Sequence, residues 1–93
     1  VPTNRTGLRL AYRSGEKVDR ELYVSHIVPG SRAAALAKDG LKKGMVIVEV
    51  DSLPADELDM WKIEQRLAGL YGRQVVLQWE TQQGRKLIPL EVK

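Results

Sequence analysis

Cysteine and phenylalanine are absent from the 93-residue chain, and histidine occurs once, at His26. Without cysteine there are no disulfides, thiolate metal sites or cysteine nucleophiles, and the redox compartment stays undetermined. One histidine leaves too few soft ligands for zinc. It lies inside a predicted strand and reads as a surface or barely buried structural residue rather than a catalytic base. No cofactor or metal site is expected. The few aromatics, Tyr12, Tyr23, Trp61, Tyr71 and Trp79, are scattered and give no stacking platform for bases. Neither sign of charge dominates: 15 Lys and Arg stand against 12 Asp and Glu, a net +3, and the basic residues are spread out except for Lys38, Lys42 and Lys43. No nucleic-acid partner is expected from so thin a basic footprint. No run approaches the roughly 18 apolar residues of a membrane span, and no basic stretch leads into an apolar one as in a signal peptide. No membrane contact by this fragment is therefore expected.

What is present is an ordinary globular profile, 43% hydrophobic and 29% charged. A chain of this length supports one domain with one modest core. The polar residues 1–5 read as a tail and residues 6–93 as the domain. Because the chain begins at Val1 without a methionine, the expectation is a fragment of a longer protein.

The spacing of apolar residues predicts the elements. Leu8 and Leu10 alternate in a strand from Gly7 to Tyr12, and "LYVSHIV", Leu22 to Val28, is a second strand ending at Pro29-Gly30. The polar segment Arg13 to Glu21 joins the two as a hairpin. Ser31 is placed to cap a short helix through "RAAALAK", which Gly40 would stop. "MVIVEV", Met45 to Val50, reads as a central strand covered on both faces. A long helix is predicted over Asp56 to Leu70, with Met60, Ile63, Leu67 and Leu70 on its apolar stripe. In that reading Asp56/Glu57 mark its start and Glu64/Arg66 its solvated face. Two final strands, "QVVLQWE" and "KLIPLEV", flank a turn at Gly84, and Pro89 places the second at an edge or bulge. The expected class is α+β, mainly β: a small, partly open antiparallel barrel or sandwich of five to six strands, capped by one short and one long helix.

Chemistry is hard to find along this chain. Asp51-Ser52-Leu53 lacks the glycine of an aspartic-protease loop and has no second copy to form a dyad. Gly7, Gly15 and Gly30 do not assemble a phosphate loop. A strand that starts at a glycine beside an amphipathic helix does, however, make a groove with backbone amides at its edge and apolar side chains below. The residues thus point to a binding module, non-catalytic by itself.

Four phrases then carry a resemblance. "GLRL" looks like the Gly-Leu-Gly-Phe carboxylate-binding loop of PDZ domains; "VSHIVPGSRAA" and "DGLKKGMVIVEVDS" resemble the two segments that follow it in that family. "QRLAGLYGRQVVLQW" resembles the end of the family's long helix and the next strand. Arg9, Met45 and Ser52 depart from the family pattern, standing where a glycine, an aspartate and a glycine are usual.

The resemblance implies a PDZ domain over about Thr6 to Val92 that adds a peptide C-terminus as a strand between Leu8–Arg13 and the long helix. In that reading Gly7, Leu8, Arg9 and Leu10 form the carboxylate loop. Ala11, Tyr12, Met60, Ile63, Glu64 and Leu67 line the groove, though for Ile63 a plain core role stands beside the pocket one. With no histidine at Met60 or Glu64, the resemblance implies no preference for Ser or Thr two residues before the ligand's end. The implied partners are peptide or protein C-termini with an apolar last residue. The lead-in "NRTGLRL" is similar to the phrase opening PDZ domains that follow retropepsin-like aspartyl protease domains. Serine and metalloprotease hosts fit as well, which implies a peptidase parent and a bacterial cell envelope setting. The rival expectation is an interface domain that packs on another domain of its own chain, binds no free peptide and shows an apolar patch away from the groove.

Overall fold

A computed structural model describes residues 3–93. Val1 and Pro2, part of the expected tail, lie outside the described residues. Thr3 and Arg5 are exposed, whereas Asn4 is half-buried. Strand β1 (Leu8–Arg13) turns Leu8 and Leu10 inward, and β2 (Glu21–Ile27) does the same with Leu22 and Val24, so all four are buried. The two strands pair antiparallel as a hairpin, with a bulge between Arg9 and Leu10.

Past the breaker Pro29-Gly30, Ser31 Oγ accepts a hydrogen bond from the Ala34 amide at 3.2 Å. The segment it caps, Ala34–Asp39, is a 3-10 helix, and Gly40 ends it in the left-handed conformation (φ 104°). None of its residues is fully buried, and Leu36 packs partly against the core; with so little apolar surface to hold it, it stays a short 3-10 segment.

The expected central strand is divided. β3 (Val46–Ile47) pairs with β2, whereas β4 (Glu49–Val50) pairs with β6 (Gln74–Thr81). Its two buried residues, Ile47 and Val50, are three apart. A straight strand sends positions three apart to opposite faces, so the chain must bend between them. It does so at Val48, whose amide donates to Gln78 O at 2.8 Å. Val46, Val48 and Glu49 are only half-buried, so the segment is not covered on both faces as expected.

β4 turns back into β5 (Leu53–Pro54) through Asp51 and Ser52, both with positive φ (52° and 66°). Asp51 holds this turn in place: its carboxylate accepts from the Val76 amide at 2.8 Å and from Arg66 Nη1 at 3.0 Å.

The predicted long helix is shorter. Ala55–Glu57 forms a 3-10 turn, buried Leu58 is extended, and α1 runs only Met60–Leu67. Asp59 starts it, its side chain accepting from the Lys62 amide at 2.9 Å. Leu58 before that cap and Ile63 after it are both buried, the arrangement of a hydrophobic staple. Leu70 lies beyond the helix and is 52% exposed, so it leaves the expected apolar stripe. Arg66, placed by sequence on a solvated face beside Glu64, is instead tied to Asp51.

β6 and β7 (Gly84–Glu91) form the expected hairpin with Val75, Leu77 and Trp79 buried against Ile88 and Leu90. Pro89 falls on β7, the outer strand of its sheet, where a missing amide donor is tolerated.

The protein is therefore α+β and mainly β. It has a three-stranded sheet ordered β1-β2-β3 and a four-stranded sheet ordered β5-β4-β6-β7, both antiparallel, with α1 as its longest helix. The sheets are not closed onto one another. The strand count exceeds the expected five or six because Met45–Val50 is split and the short β5 is added. A single apolar cluster draws on both sheets and α1. The radius of gyration, 12.3 Å, is that of a compact chain of this length.

Candidate functional site

β1 is the outer strand of its sheet, and α1 packs beside it. The residues singled out in "GLRL" and on the helix are thus brought to one seam. Leu8, Leu10, Ile63 and Leu67 are each 5% exposed or less and belong to the common core. Met60 and Tyr12 pack partly buried against it, Ala11 is half-buried, and Arg9 and Glu64 are exposed. The four leucine and isoleucine side chains fill the seam themselves.

The loop before β1 is more tightly bound than its composition suggests. Asn4 Oδ1 accepts from the Thr6 amide at 3.0 Å and from Thr6 Oγ1 at 2.7 Å, and Asn4 Nδ2 donates to Leu8 O at 2.8 Å. Thr6 Oγ1 in turn accepts from the Leu8 amide at 3.1 Å. One of the amides assigned to carboxylate capture is therefore already satisfied. The sequence signal was available: an Asn and a Thr two apart, each able to bond backbone two residues on.

Gly7 has φ 81° and faces Ser31, whose Cβ would lie 2.2 Å from a Cβ at position 7. Its carbonyl accepts from the Val28 amide, while Thr6 O accepts from the Ala33 amide. The glycine is needed where the chain before β1 presses against the segment after β2. Arg9 folds back, Nη1 donating to Leu8 O at 3.3 Å, so its charge stays at the mouth of the loop.

At the other end of the seam Tyr12 donates its hydroxyl proton to Ala55 O at 2.6 Å. Arg20 stacks 4.3 Å from the Tyr12 ring centroid and donates to the carbonyls of Asp56 and Leu58. These contacts pin the turn preceding α1 to the first sheet and set how far the helix stands from β1. Burial raises the Tyr12 pKa above its ordinary 10.0; Arg20 pulls it down, and Asp59 and Asp56 push it up.

Unfolded chains would release that proton first. The stability contributed by the phenol is thus present below pH 10.0 and is lost as pH rises through the folded value. Tyr12→Phe is expected to flatten the alkaline fall in stability measured by denaturant unfolding at a series of pH values. An alkaline limb identical to that of the parent would contradict this role.

Two cavities stand out, one adjoining the Tyr12 end of the seam, where Arg20, Ala55 and Asp56 line it, and one beyond α1. One of about 830 Å³ opens between the sheets, among Leu22, Met45, Ile47, Ala55 and Trp79. The other, about 420 Å³, lies on the outer side of α1 and joins Trp61 to Tyr71, aromatics that looked scattered in the sequence. Among the described residues no group of three or more His, Asp or Glu is placed to hold a metal ion, and no helix is long and apolar enough to cross a membrane.

What fold and seam define together is a small, mainly β protein whose outer strand runs beside an amphipathic helix. Comparison with protein-family models, with curated proteins and with solved structures finds no match to this chain.

Proposed function

We propose that the chain is a non-catalytic peptide-binding module of PDZ type. In this reading the two sheets are the halves of a partly open barrel, α1 is its long helix and Ala34–Asp39 its short one. A peptide C-terminus adds as a strand to the outer edge of β1, along α1, and so recruits or gates substrate for a peptidase domain of the parent protein.

The observation that carries this reading is the position of β1: an outer strand, alternating Leu8 and Leu10 inward, beside the Ile63–Leu67 face of α1. Outer strands with unpaired backbone groups are where extended peptides add. The order of the four PDZ-like phrases supports it independently.

The reading also specifies a step. With Ile63 and Leu67 fully buried, an apolar terminal side chain enters only as α1 moves away from β1, and the carboxylate competes with Thr6 for the Leu8 amide or uses the Arg9 and Leu10 amides. Arg9, exposed at the loop mouth, supplies a cation to it. That opening, added to the ordering of a flexible peptide, sets the expected affinity at micromolar or weaker.

Titration of the isotope-labelled chain with peptides ending in Val, Leu or Ile as free acids, beside their amidated twins, tests this. The free acids are expected to shift the Leu8, Arg9 and Leu10 amides and the twins to leave them unmoved, with Arg9→Ala weakening the free acids about threefold. Absence of shifts across such a panel, or equal shifts from the amidated peptides, would sink the reading.

A further inference from the structure

Val24 turns its backbone toward β3, its amide donating to Met45 O at 2.9 Å and its carbonyl accepting from the Gly44 amide at 2.8 Å. Leu10 stands opposite Val24. It therefore exchanges no bonds with β2, and its own amide and carbonyl face outward from the sheet. The bulge leaves Ser25 of β2 as the extra residue, so the alternation along β1 is unbroken and Leu8 and Tyr12 also face their backbone groups outward.

At Leu8, the first of these edge positions, both outward groups are already held. The amide donates to Thr6 Oγ1 at 3.1 Å, and the carbonyl accepts from Asn4 Nδ2 at 2.8 Å. The Asn4 side chain thus lies where the end of an added strand would lie. Its oxygen is engaged as well: Asn4 Oδ1 accepts from the Thr6 amide at 3.0 Å and from the Thr6 hydroxyl at 2.7 Å. These partners fix which atom is the oxygen, because only an acceptor can meet the Thr6 amide and only a donor the Leu8 carbonyl. A planar oxygen held by a backbone amide and a hydroxyl, with the Arg9 cation at the mouth of the same loop, has the surroundings that suit a carboxylate oxygen. The two residues are not held equally. Thr6 is fully buried and its carbonyl accepts from the Ala33 amide at 2.9 Å, whereas Asn4 is half-buried between the exposed Thr3 and Arg5.

Resting on the peptide reading of the β1 edge, we propose that the Asn4 side chain is a built-in occupant of the carboxylate position and that Thr6 is a binding residue. A ligand carboxylate displaces Asn4 and takes over the Thr6 amide and hydroxyl as its donors. The bond from the Leu8 amide to Thr6 Oγ1 survives this exchange, and the Leu8 carbonyl is released for an amide of the ligand. Asn4 and the ligand exclude one another, so the chain's own contact holds the affinity down until a free carboxylate outcompetes a neutral amide.

The test uses the full chain, isotope-labelled, with peptides ending in Val, Leu or Ile as free acids and with their amidated twins. The free acids are expected to move the Asn4 side-chain NH2 signals to their place in an unfolded peptide and to shift the Thr6 amide, a readout that needs no variant. Asn4→Ala removes the occupant and leaves Thr6 in place; it is expected to bind the free acids about three- to tenfold more tightly, as one competing contact is worth. Asn4→Asp keeps an acceptor for Thr6 but carries the ligand's own charge, and is expected to bind no more tightly than the parent at neutral pH. Equal binding of free acids to the parent and Asn4→Ala, or Asn4 NH2 signals that stay in place when they bind, would overturn this inference while the β1 reading stands. A gain in Asn4→Asp equal to that in Asn4→Ala, or one shared by the amidated twins, would show only a loosened loop and overturn it too. No shifts from any peptide with either chain would overturn both readings.

Discussion

Gly7→Ala is expected to destabilise the protein by about 2–5 kcal/mol, measured as the shift in urea unfolding. Two terms add. A non-glycine residue in the left-handed region costs about 1–2 kcal/mol, and Gly7 has φ 81°. The new Cβ would also stand 2.2 Å from Ser31 Cβ and 2.3 Å from Ser31 Oγ, and forcing atoms into filled space typically costs about 1–3 kcal/mol. Pairing it with Ser31→Gly separates them: the double variant is expected to regain the steric share beyond what Ser31→Gly alone loses, leaving the backbone term. A single variant as stable as the parent would mean that this loop does not press on the segment after β2. Peptide binding lost in Gly7→Ala would therefore report on folding before it reports on carboxylate capture.

Leu67→Ala is expected to lower stability by about 2–5 kcal/mol, the range for truncating a buried leucine. Leu67 is fully buried in the cluster that joins both sheets to α1. Against a total stability of about 5–15 kcal/mol, this is a large share for one side chain. The measurement also bears on the seam. A leucine lining a pocket already open to water has little burial to lose, so a urea midpoint that barely moves would place Leu67 in an open groove. The expected large loss fits a seam filled by its own side chains.

Much of the architecture could be read from residues near one another. The β6–β7 hairpin followed from period-two apolar spacing on both sides of "TQQGR", and Thr81 Oγ1 closes that turn on Gly84 O. The Ser31 cap and the Gly40 stop were equally local, as was the hairpin of β1 and β2. α1 was placed correctly by Ile63 and Leu67 but begins four residues later than expected, at Met60 rather than Asp56, and ends before Leu70. Asp56, Glu57 and Asp59 all offer start signals, and the burial of Leu58 favours Asp59.

The seam was legible only in part. That β1 and the Ile63–Leu67 face belong together could be argued from apolar patterning. That Thr6 caps the Leu8 amide was also signalled locally, by an Asn and a Thr two apart, whereas the close approach of Gly7 to Ser31 was not, because it joins segments far apart along the chain. The outward placement of Trp61 follows from the period of α1, but its meeting with Tyr71 depends on how the chain turns after the helix.

By itself the sequence determined the mainly β character, the order of the elements and most of the apolar side chains that go inside, Leu70, Val46 and Val48 excepted, because periodicity and turn chemistry act over a few residues. Tertiary structure alone decided where Met45–Val50 passes from one sheet to the other and why position 7 must lack a side chain. It also decided that Asp51 binds Arg66 and the Val76 amide, and that two distant aromatics share a cleft. Each of these is set by groups well apart along the chain, and their approach is fixed by how the two sheets and α1 fill one core.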